Sequence, residues 1–125
     1  MPGKRILLVD DDEKIRTFVS DLLVQAGYEV HATGDARGAV RLASRTRPDL
    51  AILDISMPVM DGFELAFRLR EDPATQKTPY LFLTAGPAAE NMGAARDLGA
   101  VAYLEKPFKK QSLLDLLRDL LGPES

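Results

Sequence analysis

The chain has 125 residues, 46% of them hydrophobic and 28% charged, which fits one ordinary soluble domain and argues against disorder, collagen-like repeats and coiled coils. Cysteine is absent, which excludes a disulfide scaffold, thiol catalysis and any Cys-ligated zinc or iron–sulfur centre. Net charge is −3, and no basic block or stripe stands out that could grip a phosphate backbone, so no direct nucleic-acid contact is expected.

Residues 1–20 lack an apolar segment after a basic start, and no apolar run reaches the roughly 18 residues of a membrane span. The expectation is a cytoplasmic protein without membrane association. It is read as a single domain over 1–125, with its core at 5–121 and no output domain.

Arg5–Asp10 (RILLVD) reads as a buried strand that ends in an acid. Ile15, Phe18, Val19, Leu22, Leu23 and Ala26 then recur at helical spacing, and Gly27 supplies a left-handed stop. Phe18 should be buried in this helix. Ile15, in its first turn, should overhang the sheet edge and stay partly exposed. Tyr28–Thr33 alternates like a strand with one wet face and carries the only histidine, His31, at a sheet edge. Asp35 can cap a helix whose Ala36, Ala39, Val40 and Ala43 form one face.

Pro48 closes the turn into Asp49–Asp54 (DLAILD), a second buried strand ending in an acid. Asp61 and Glu64 have capping-box spacing, so a helix should run from Gly62 to Glu71. Pro79–Thr84 (PYLFLT) is a third apolar strand. Residues 88–98 form a weak, alanine-rich helix interrupted by Gly93. Val101–Glu105 is a short strand, and the leucines from Leu113 to Leu121 line a last helix stopped by Gly122 and Pro123.

Five strands alternating with five helices predict a doubly wound α/β fold, a parallel sheet with helices on two faces. In such a fold the functional groups belong at the carboxyl ends of the strands. Those ends hold Asp10, Asp11 and Asp12; Asp54, Ile55 and Ser56; Thr84, Ala85 and Gly86; and Glu105, Lys106 and Pro107. Adjacent strands would bring Asp10, Asp11 and Asp54 together, and two carboxylates about 6 Å apart repel by roughly 3 kcal/mol at an effective dielectric of 20. An all-oxygen cluster of few carboxylates points to a hard cation, Mg²⁺ before Ca²⁺. The acids from Asp10 to Glu13 could equally just cap the first helix. Asp54 has no helix immediately after it and no such second use. Lys106 at the same edge can pair with a carboxylate or a phosphoryl group, and the Thr84 hydroxyl can donate to a phosphate oxygen. Together these groups describe a phosphoryl-transfer site whose acceptor is a carboxylate.

Other uses of the fold lack their residues. No G-x-G-x-x-G and no phosphate-loop lysine motif is present, and three aspartates after the first strand would repel a flavin phosphate. A Ser–His–Asp hydrolase would have to use His31, which belongs on an exposed strand away from the other groups.

The motifs LLVDDD (Leu7–Asp12), ILDISMPVMDG (Ile52–Gly62), LFLTA (Leu81–Ala85) and YLEKPF (Tyr103–Phe108), in that order, resemble the receiver domain of two-component response regulators. The resemblance covers Arg5 to Leu121 and implies the flavodoxin-like strand order 2-1-3-4-5. It implies that Asp54 accepts a phosphoryl group from a phosphohistidine on a histidine kinase or histidine phosphotransfer protein. Mg²⁺ would be held by Asp11, Asp54 and the Ser56 carbonyl, with Asp10 on a metal-bound water. Lys106, the Thr84 hydroxyl, the Ala85 amide and Ser56 would bind the phosphoryl group, and Tyr103 would follow Thr84 inward as a switch at the surface formed by the helix 88–98 and the fifth strand. The Lys106–Pro107 bond would be cis. A kinase would dock on Ile15, Phe18 and the segment 107–110.

Two departures from the family pattern stand out. Val101–Ala102 replaces acidic residues that pair across a dimer in one branch, so a monomer or weak dimer is expected, and Lys109 replaces the usual Ser/Thr cap of the last helix. Implied, then, is a phosphoacceptor signalling domain, not an enzyme in the ordinary sense although it assists its own phosphorylation and dephosphorylation, acting on a downstream protein target. The alternative is a receiver-like interaction module that works without phosphate.

Overall fold

Three of the strands are apolar at nearly every position, which requires cover on both faces of the sheet. In the computed structural model, which describes residues 3–55, 57, 60–84 and 99–122, they receive it. The elements run β1 (Arg5–Val9), α1 (Glu13–Gln25), β2 (Glu29–Thr33), α2 (Ala36–Thr46), β3 (Leu50–Asp54), α3 (Gly62–Glu71), β4 (Tyr80–Thr84), β5 (Ala102–Glu105) and α4 (Lys110–Leu121). The helix expected over 88–98 lies outside the described residues, as do Ser56 and Ala85.

All five strands are parallel, in the order β2-β1-β3-β4-β5. Alternation sends Leu7, Val9, Ala51, Leu53 and Phe82 to the face covered by α2 and α3. Ile6, Leu8, Leu50, Ile52, Leu81 and Leu83 go to the other, under Val19 and Leu23 of α1 and Leu113 and Leu117 of α4. Phe63 meets Phe82 edge-on at 5.0 Å between ring centroids, which fixes the approach of α3 to the sheet. Edge strand β2 is the wet one. There His31 bonds Glu29 at 2.8 Å, and Glu29 also pairs with Arg5 at 3.2 Å, a surface cluster away from the strand ends.

Local signals set the helix boundaries. The Asp12 carboxylate accepts from the amides of Lys14 and Ile15, and Gly27 at φ 102° ends α1. Asp35 accepts from the Arg37 amide at the start of α2. Asp61 accepts from the Glu64 amide at 2.9 Å, but the Glu64 carboxylate turns along the helix to Arg68 at 3.4 Å, so only half of the capping box forms. At α4 the Lys109 side chain makes no capping bond.

Two expectations need correction. Phe18 is 42% exposed, because the line of α1 that faces the sheet is Val19 and Leu23, and Phe18 lies one residue, about 100°, to the side. Ile15 is half-buried, as its place at the overhang predicts. The sequence also holds a basic stripe after all. Arg37, Arg41 and Arg45 are exposed and one turn apart on α2, within an arc of about 80°, although no two basic residues are adjacent there.

Helix α3 starts against the end of β3. The Gly62 amide donates to the Ile55 carbonyl at 3.0 Å, and a Cβ at Gly62 would sit 2.5 Å from the Asp54 carbonyl oxygen. Any side chain there must push the helix off the strand that carries Asp54. Gly62→Ala should therefore cost about 1–3 kcal/mol of stability, read as a lower urea midpoint at unchanged slope. An unchanged midpoint would show that the contact relaxes freely.

Candidate functional site

In the ladder Val9 stands opposite Leu53, so the next residue of each strand places Asp10 beside Asp54. Asp10 is fully buried and Asp54 is 2% exposed, while Asp11 faces solvent. One carboxylate oxygen from each of the three lies within 4.8 Å of the others.

The hydrogen bonds divide the acidic run by task. Asp12 caps α1. One Asp10 oxygen accepts from the Asp12 amide at 2.9 Å, which shapes the turn, and the other accepts from Lys106 Nζ at 2.8 Å. The same ammonium lies 3.3 Å from Asp54 Oδ1. Helix capping thus accounts for Asp12 and leaves Asp10 and Asp11 to the cluster.

Lys106 reaches this position because β5 ends at the same edge. Its amide donates to the Thr84 carbonyl at 2.6 Å, and the Lys106–Pro107 bond is cis, as the resemblance implied. Burial of the amine pulls its pKa down, but the hydrogen bond to Asp10 and the charge of Asp54 outweigh that and leave it above the ordinary 10.5. Thr84 is buried and shares its face of the sheet with Phe82. Tyr103, opposite Phe82 in the ladder and half-buried, packs on that same side, next to the α2–α3 core.

Arg16 and Gly34 had no visible role in the sequence. Arg16 Nη1 donates to the Asp10 carbonyl at 2.9 Å, and a Cβ on Gly34 would lie 2.4 Å from that nitrogen. The guanidinium thereby pins the backbone of the acidic turn. Arg16 reads as one more polar-face residue of a helix, and nothing local in the sequence marks it.

When ionised, three carboxylates against one ammonium leave two negative charges unbalanced, with two of the carboxylates buried. Oxygen donors without nitrogen or sulfur are the chemistry of a hard divalent cation, and the cluster fits one.

The family model of the response regulator receiver domain matches residues 6–118. The chain belongs to that family. It is 41% identical over 117 residues to the DNA-binding dual master transcriptional regulator RpaA of Synechocystis, covering 94% of this chain and 48% of that protein. Identity is 36% to the phosphate regulon transcriptional regulatory protein PhoB of Pseudomonas aeruginosa, over 97% of this chain and 53% of that one. The chain spans about half the length of these curated relatives. Among solved structures, the Vibrio cholerae chemotaxis protein CheY4 superposes with a TM-score of 0.89 at 39% identity, covering 94% of this chain and 98% of that one. The receiver domain of the Pseudomonas aeruginosa sensor histidine kinase PA1611 superposes at 0.87 with 32% identity, over 96% of this chain and 98% of that one. It is described with a magnesium ion coordinated in the active site cleft. Receiver domains are signalling modules, and among the described residues of this one no helix is long and apolar enough to cross a membrane.

Two predictions follow from the charges. Without divalent ions, Asp11→Asn should stabilise this receiver domain by about 0.5–1 kcal/mol in urea unfolding while weakening Mg²⁺ binding. Loss of stability with unchanged Mg²⁺ affinity would mean that Asp11 serves the fold alone. The second concerns Lys106, whose folded pKa lies above 10.5, so the folded state holds this proton more tightly than the unfolded chain. Its contribution is full below that pH and fades as pH rises through the folded value. Lys106→Met should be less stable than the parent by about 2 kcal/mol, evenly from about pH 7 to about pH 9, with the gap closing only above the lysine range. A gap that closes near neutral pH would contradict the bridge.

Proposed function

We propose that this receiver domain, read as a single unit over 1–125, accepts a phosphoryl group on Asp54 from a phosphohistidine of a histidine kinase or histidine phosphotransfer protein. The observation that carries the reading is the buried Asp54 carboxylate held beside Asp10 and Asp11 with the Lys106 ammonium 3.3 Å away. In the transfer, an Asp54 oxygen bonds to phosphorus as the bond from phosphorus to the imidazole nitrogen breaks. That nitrogen keeps the electron pair and takes a proton.

Asp10, Asp11, Asp54 and the Ser56 carbonyl would hold Mg²⁺. When bound, that ion supplies positive charge against the phosphoryl oxygens and the crowded carboxylates. Lys106 then turns from bridging two carboxylates to binding a phosphoryl oxygen, with the Thr84 hydroxyl and the Ala85 amide on another. Thr84 and Tyr103 share one side of the sheet on adjacent strands, which supports Tyr103 following Thr84 inward and the signal leaving through β5 and residues 88–98. The half-buried Ile15 and the exposed Phe18 offer a kinase an apolar contact beside the site.

The output is contact with a downstream protein, made by a cytoplasmic monomer or weak dimer. Direct contact with nucleic acid is not part of this reading, because the net charge of −3 opposes approach to a polyanion. The RpaA of which this chain covers 48% is DNA-binding, and that property is not carried over here. Treatment with acetyl phosphate and Mg²⁺, read by intact mass, should add one phosphoryl group. Asp54→Asn, or removal of Mg²⁺, should abolish the addition. Persistent uptake by Asp54→Asn would move the acceptor elsewhere, and no uptake by the parent would favour an interaction module that works without phosphate.

A further inference from the structure

The stripe on α2 has no part in the chemistry above. Arg37, Arg41 and Arg45 are exposed, and none of the three is ion-paired among the described residues. Between α2 and α3 runs an open groove of about 470 Å³. Arg37 and Arg41 line one side and Arg68 the other, with the half-buried Val40 contributing apolar surface, and Asp72 and the buried Met60 also lining it. Among the described residues Arg68 is ion-paired with the exposed Glu64 alone, at 3.4 Å, and such a pair exchanges readily for a better partner.

We propose that this groove docks an amphipathic acidic helix of a partner protein, with its carboxylates on Arg37, Arg41 and Arg68 in the groove and on Arg45 one turn beyond it, and its apolar stripe on Val40. Charge complementarity carries the choice of occupant. Guanidiniums one helical turn apart match carboxylates one turn apart on a second helix, each able to take a two-pronged bond. A protein helix also brings the apolar stripe that the groove surface calls for. Nucleic acid brings phosphates but no apolar side chain to cover Val40. A second copy of this chain fits poorly. Its described helices mix their acids with bases: Glu13 and Asp21 with Lys14 and Arg16 in α1, Glu64 and Glu71 with Arg68 and Arg70 in α3, Asp115 and Asp119 with Lys110 and Arg118 in α4.

The test uses the full chain and three probes at low ionic strength. These are a synthetic helical peptide with glutamates one turn apart opposite leucines, a permuted peptide of the same composition, and a short DNA duplex. Fluorescence anisotropy gives the affinities, and amide chemical shifts give the location. The ordered peptide should bind best, with shifts confined to 36–46 and 60–72. The triple variant Arg37→Gln, Arg41→Gln, Arg45→Gln should bind it about tenfold more weakly, because exposed pairs contribute modestly each and salt screens them. Phosphoryl uptake by the variant should match the parent, so failure here is distinct from failure of the acceptor reading. Equal binding of the permuted peptide, no loss in the variant, shifts on another face, or tighter binding of DNA through the same arginines would each overturn the proposal.

Discussion

One ammonium group conditions the whole carboxyl edge of this sheet. Lys106, 96 positions along the chain from Asp10, bonds Asp10 at 2.8 Å and approaches Asp54 at 3.3 Å. To do so it must cross the ends of β4 and β3, which lie between β5 and β1. That reach is possible only because all the strands run the same way and end together. Two buried carboxylates stay compatible with the fold, since the bridge supplies a counter-charge within contact of both. The strand order and the parallel register can be understood as what is needed to make that one contact.

The bridge leaves the site short of positive charge, and that shortage connects stability to chemistry. A fully balanced cluster would be inert, whereas this one has surplus anionic oxygen facing an opening at Asp11. The surrounding backbone is held tightly while the charge is not. Arg16 fixes the Asp10 carbonyl, Asp12 ties the turn to α1, and Gly62 lets α3 sit against the Asp54 carbonyl. Rigid support around an electrostatically unfinished centre is the usual compromise where a site is kept ready for an incoming charged group.

Much of this was legible in the sequence, for identifiable reasons. Apolar runs ending in acids mark strands buried on both faces, and topology then forces Asp10 and Asp54 together. Asp12, Asp35 and Asp61 cap by rules that act over three residues. Contacts made by tertiary packing were less visible. Phe18 fits the helical period as well as Val19 does, and only the docking angle of α1 decides which of them faces the sheet. The capping box failed at Glu64 because Arg68, one turn on, offered its carboxylate a charge. The bond from Arg16 to the Asp10 carbonyl and the groove between α2 and α3 depend on elements meeting across the fold, and no local pattern announces either.

The central claim is that Asp54, and neither of its two acidic neighbours, carries the phosphoryl group. An acyl phosphate can be trapped by borohydride, which reduces the modified aspartate to homoserine and leaves free carboxylates unchanged. Peptide mass spectrometry after phosphorylation by a donor with Mg²⁺ then reads the position directly. Homoserine is expected at position 54 alone. Homoserine at position 10 or 11, or a bound phosphate that leaves no homoserine at any aspartate, would contradict it.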